Sequence, residues 1–144
     1  MSATAFFFSV CLNATGECHD EKLADFDSPI AMEMCDANKF SFTEETNKHD
    51  LPKDRKRSFN CGVLETAPGA QVTAQLVYRV CEKGDVCAPE VKTLGNFYGE
   101  GGMKICDANK KYWLGPIQQS AKMTGTEASL SCDPVQTQKA VAVN

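Results

Sequence analysis

Cysteine spacing constrains this chain more than any other feature. Cysteines stand at Cys11, Cys18, Cys35 and Cys61, and again at Cys81, Cys87, Cys106 and Cys132. The steps are 7, 17 and 26 residues in the first set and 6, 19 and 26 in the second. An offset of about 70 residues superposes the two sets, and the chain of 144 is close to twice that length. The same offset, give or take a residue, brings Val10-Cys11 onto Val80-Cys81 and Met32 onto Met103. It also brings Cys35-Asp36-Ala37-Asn38-Lys39 onto Cys106-Asp107-Ala108-Asn109-Lys110. The pattern reads as an internal duplication: two tandem cysteine-rich modules, residues 1–70 and 71–144, joined near Thr66–Ala70.

Bridges explain the spacing better than metal. Zinc modules use closely spaced Cys-x2–4-Cys knuckles, often with histidines, so that one tetrahedral ion collects four ligands. No such knuckle occurs, and His19 and His49 have no counterparts in the second half. A disulfide fixes two Cα atoms within about 4.4–6.8 Å and so holds a spacing while the intervening residues diverge. Four cysteines per module allow three pairings, and the shared steps favour one choice in both. The expected bridges are Cys11–Cys18, Cys35–Cys61, Cys81–Cys87 and Cys106–Cys132. Closing a loop of 26 residues is worth roughly 3.5 kcal/mol in the chain-entropy model, a large share of a small module's stability. Bridges also imply an oxidising compartment, extracellular or periplasmic.

The sequence reads as all-β, two small disulfide-stapled β modules. Ala5–Val10 and Gln71–Val80 are rich in aromatic and β-branched residues, and the second alternates Val72, Ala74, Leu76, Tyr78, Val80. Each runs into a cysteine, a polar loop with glycine (Asn13–Gly16; Glu82–Gly84) and a second cysteine. Asp suits the first position of a β-turn and Asn tolerates the left-handed conformation, so each Cys-Asp-Ala-Asn-Lys reads as a turn. Gly99–Gly102 reads as a turn before a strand, and only Asp20–Phe26 offers a possible helical turn. A last strand in each module carries the fourth cysteine. The apolar start lacks the basic segment and the cleavage site of a leader. Since Ala5–Cys11 aligns with Gln75–Cys81, it reads as a first strand, and an oxidising destination implies a leader that Met1 has replaced.

Charge and motifs exclude more than they assign. Net charge is −4 and the pI about 5.2, which disfavours non-specific binding to nucleic acid. No apolar run approaches the roughly 18 residues of a membrane-spanning helix, so no membrane insertion is expected. Cys18-His19 are neighbours that a strand points apart, and Glu44-Glu45 sit in a charged stretch, so neither forms a catalytic pair. No phosphate-binding glycine loop and no cofactor motif is present. Two local candidates stand out. Asn13-Ala14-Thr15 has the form of an N-glycosylation acceptor. Lys53, Arg55, Lys56 and Arg57 form a basic patch in a half with 7 Lys/Arg against 12 Asp/Glu over residues 1–72. The patch reads first as an exposed, solvated loop, and otherwise as a docking surface or a dibasic processing site at Lys56-Arg57.

Tyr78–Thr93, "YRVCEKGDVCAPEVKT", resembles the redox-pair region of the periplasmic N-terminal domain of the thiol–disulfide interchange protein DsbD. The likeness lies in Tyr78-x-x-Cys81, a five-residue spacer, Cys87, Pro89 and Lys92-Thr93. It implies an immunoglobulin-like fold and thiol–disulfide exchange by Cys81 and Cys87. The duplicated framework instead predicts that this pair is a structural bridge, as Cys11–Cys18 would be. The leading expectation is a secreted, non-enzymatic protein that binds a protein partner or self-associates. Assembly would use the strand edges of Ala3–Phe8 and Lys139–Asn144.

Overall fold

In a computed structural model, residues 4–49, 52–66, 70–82 and 90–135 are described. The chain divides into two compact units, Met1–Ala70 and Gln71–Asn144. Unit 1 runs β1 (Thr4–Leu12), β2 (Cys18–Phe26), α1 (Ala31–Asn47) and β3 (Arg55–Gly62). Unit 2 runs β4 (Val72–Glu82), β5 (Glu90–Tyr98), α2 (Gly102–Met123) and β6 (Thr126–Pro134). Strand outweighs helix in the described residues, and all pairing within a unit is antiparallel.

In unit 1 the sheet order is β3-β1-β2, which puts the most apolar strand in the centre. Phe6 is fully buried and packs against Phe42 of α1 at 5.3 Å and Phe59 of β3 at 5.8 Å. Phe8 meets Phe59 at 5.1 Å. Such ring pairs add to the large apolar area each Phe removes from water. Alternation along β1 therefore turns Phe6, Phe8 and Val10 toward α1, and Phe7, Ser9 and Cys11 to the other face. Strands β1 and β2 form a hairpin in which Cys11 lies directly opposite Cys18. Its loop is held by Leu12 N–H donating to Glu17 O at 2.8 Å and by Gly16, whose φ of +73° suits glycine.

Unit 2 repeats the element order around β4, with sheet order β5-β4-β6. Ala74, Leu76, Phe97, Cys106 and Leu130 are buried in its core. Gly102 opens α2 where a Cβ would come within 3.2 Å of the Phe97 backbone and collide with Thr73 Oγ1. Only glycine fits that approach. Pro116 lies inside α2 and cannot donate the N–H that an uninterrupted helix would direct to Tyr112 O.

The two helices correct the all-β expectation. Cys35–Lys39 and Cys106–Lys110 lie within α1 and α2, not in β-turns, and Gly99–Gly102 precedes a helix. The buried positions of α1 are Ala31, Met34, Cys35 and Asn38, the three- and four-residue spacing of a helical stripe. Two of the four are alanine and asparagine, so the stripe is faint in hydrophobicity. Asn38 is tolerated there because its Nδ2 donates to Met34 O at 2.7 Å, one turn back; Asn109 does the same to Ile105 O at 2.9 Å. Asp20–Phe26, read as a possible helical turn, belongs to β2.

Strand β1 is hydrogen-bonded on both sides, so residues 4–8 have no open edge for assembly. Lys139–Asn144 lie outside the described residues.

Cys35, fully buried on α1, is bridged to Cys61 on β3. Cys35→Ser is expected to lower the stability of unit 1 by about 2–5 kcal/mol. Hydrogen exchange of the β1 and β3 amides measures it, and unchanged protection would contradict the assignment.

Candidate functional site

The sequence candidates of the first half converge at one end of unit 1. Asn13, in the hairpin loop, donates from Nδ2 to Lys53 O at 2.8 Å, and its backbone N–H donates to Asp54 O at 2.9 Å. The glycosylation candidate and the start of the basic patch are thus in contact. Strand β3 then runs beside β1, with Arg55 opposite Leu12, Lys56 opposite Cys11 and Arg57 opposite Val10.

The patch is not uniform. Arg55 is engaged by its neighbour: Nε donates to Asp54 Oδ1 at 3.2 Å and Nη2 to Oδ2 at 3.3 Å. The hydrogen bond from Arg55 holds the Asp54 carboxyl below its usual range, and that to Asp54 holds the guanidinium above its own. Lys53, Lys56 and Arg57 are exposed. Because Phe59 and Cys61 face α1, alternation turns Arg57 to the helix side and Lys56 to the opposite side, beside Cys11 and Cys18. The expected patch is therefore split between the two faces of a terminal strand of the unit. Across the sheet, β2 offers exposed His19, Asp20 and Glu21, so at this end of unit 1 β1 is flanked by cations on β3 and carboxylates on β2.

Three disulfides join described residues: Cys11–Cys18, Cys35–Cys61 and Cys106–Cys132, with Cα separations of 4.0, 6.0 and 5.9 Å. They differ in access. Cys35 and Cys106 are fully buried, whereas Cys18 is exposed and Cys11 half-buried. No described cysteine is free. The expected partner of Cys81, Cys87, lies outside the described residues, as does most of the loop in the DsbD-like stretch.

Sequence reading missed two features. Ser9, buried at the centre of β1, donates to Asp20 Oδ1 and accepts from Asn60 Nδ2 at 3.2 Å; Asn60 also donates to Ser58 Oγ. Three strands contribute to this row, and only strand register reveals it. The second is a groove of about 600 Å³ between the second half of α2 and the start of β6, lined by Gly115, Gln118, Gln119, Lys122, Thr126 and Glu127. His19 stands opposite Val10, and His49 lies 3.9 Å from Glu45 at the end of α1; among the described residues neither is hydrogen-bonded through its side chain to a Ser, Thr or Cys.

No protein-family model matches the chain, and no curated protein or solved structure matches it. Function therefore rests on this geometry and the sequence.

Two outcomes check the site. Trypsin cleavage at Lys53, Arg55, Lys56 or Arg57 is expected to leave both fragments joined through Cys35–Cys61, as one band without reductant and two with it. Separation without reductant would refute that pairing. Arg55→Gln is expected to raise the Asp54 pKa toward the ordinary 3.8, because the donor that favours the charged carboxylate is lost. In the parent chain the pair then persists below that pH and breaks on further acidification. A carbon-detected NMR titration of the Asp54 carboxyl reads both.

Proposed function

We propose that this is a disulfide-stabilised binding protein of an oxidising compartment, extracellular or periplasmic, and not an enzyme. Its two units are taken as copies of one ancestral module, a reading supported by the shared β-β-α-β order and the shared cysteine steps. The partner is an acidic segment of another protein, engaged along β3 of unit 1. One observation carries this reading: Lys53, Lys56 and Arg57 are exposed on and beside a terminal strand of a sheet in a chain of net charge −4. An extended acidic peptide adding to β3 would gain backbone hydrogen bonds and meet these cations on both faces.

The same cations oppose self-assembly through this edge, since lysine and arginine on a terminal strand repel a second copy of itself. The three disulfides of the described residues favour the oxidising compartment. Among the described residues no helix is long and apolar enough to cross a membrane.

Lys53→Glu/Lys56→Glu/Arg57→Glu is expected to weaken binding of a glutamate-rich peptide by roughly tenfold or more, and added salt to weaken the parent complex. Fluorescence anisotropy with the labelled peptide measures both. Equal affinity of parent and variant would remove β3 as the surface. Concentration-dependent growth in light scattering without peptide would favour assembly instead.

A further inference from the structure

We propose that Cys11–Cys18 is a thiol-exchanging bridge, open to glutathione-class thiols, with Lys56 stabilising the thiolate that leaves. Three observations carry this, none of which depends on the binding role of β3. The first is access. Cys18 is exposed at the end of a hairpin and Cys11 is half-buried, while each helix bridge joins a fully buried cysteine, Cys35 or Cys106, to a half-buried one, Cys61 or Cys132. An attacking thiolate must reach a sulfur, and the hairpin bridge is the one of the three with an exposed cysteine.

The second is the charge across the strand. Lys56 lies directly opposite Cys11, on the face shared by Cys11 and Cys18, and directly opposed residues have Cβ atoms roughly 4.5–5.5 Å apart. Attack on the Sγ of Cys18, an exposed residue, forms a mixed disulfide and breaks the bridge, and the Cys11 sulfur departs with the electron pair as a thiolate on the face that Lys56 shares. A second thiol attacks the mixed disulfide at its own sulfur, giving the oxidised small-molecule disulfide and Cys18 thiol. The chain gains two hydrogens and two small thiols become one disulfide. A lower leaving-group pKa speeds such exchange, and a neighbouring cation lowers it. Glu17, which precedes Cys18, and Asp20, whose Oδ1 accepts from Ser9, oppose the thiolate, while Arg57 beside Lys56 favours it and Arg55 is engaged by Asp54.

Unit 2 supplies the contrast. Cys81 holds the corresponding place on its central strand, and the residue directly opposite it on the last strand is Glu127. A carboxylate there disfavours a Cys81 thiolate. The third observation is that opening the hairpin bridge leaves its other ties: Leu12 to Glu17, Asn13 to Asp54, and Cys35–Cys61. Opening is local.

The test treats the native full chain with graded glutathione, traps thiols by alkylation and reads each cysteine by mass spectrometry. Cys11 and Cys18 are expected to label first, with Cys35, Cys61, Cys106 and Cys132 unlabelled. Lys56→Glu is expected to slow opening roughly two- to threefold, Lys56→Arg to preserve the rate, and Glu127→Lys to speed labelling of Cys81. Circular dichroism confirms that each variant keeps its fold. Labelling of Cys81 before Cys11, simultaneous opening of all bridges, or a Lys56→Glu rate equal to the parent would overturn the proposal.

Discussion

Each helix is fastened to the last strand of its unit by a bridge from a fully buried cysteine, Cys35 to Cys61 and Cys106 to Cys132. The rest of each unit depends on that fastening. The helix stripe is thin, with alanine, cysteine and asparagine filling places where leucine or isoleucine would normally supply apolar area. Burial of so little apolar surface gives weak adhesion between helix and sheet. The bridge substitutes for it by removing loop entropy from the unfolded chain. The phenylalanine cluster of unit 1 then needs only to position Phe42 over Phe6 and Phe59.

That substitution also explains what the sequence revealed and what it concealed. The cysteine ladder made the described pairings legible, because equal 26-residue steps have one simple cause. Strands β1 and β4 were legible because their aromatic and β-branched residues leave little alternative. The helices were not. A stripe of Ala31, Met34, Cys35 and Asn38 has the right period but too little hydrophobic contrast to stand out, and Asp-Ala-Asn carries the residue signature of a turn. The deciding interaction was tertiary: with Cys35 tied to Cys61, Asn38 closes its amide on its own helix and can be buried.

The site divides in the same way. Lys53–Arg57 and Asn13 were visible as residues, but their contact was not, because 40 residues separate Asn13 from Lys53. The split of the patch over two faces follows from strand alternation once Arg55–Arg57 are known to lie in a strand. Read as a loop, the stretch has no faces. The Ser9–Asp20–Asn60 row was invisible for a different reason: each member is an ordinary polar residue in a strand, and only register makes them neighbours.

Register also shows where the two units agree and where they part. Phe6 and Leu76 each lie opposite the bridging cysteine of the last strand, Cys61 and Cys132, and both are fully buried. On the other face the correspondence fails in chemistry. Ser9 bonds Asp20 in unit 1, whereas Arg79 donates to Ser131 at 2.9 Å and approaches Asp133 at 3.8 Å in unit 2. Lys56 faces Cys11 where Glu127 faces Cys81. Packing against a helix restricts size and polarity at every position it covers. The two units thus bury like positions beside the bridge from helix to last strand and carry opposite charges beside Cys11 and Cys81.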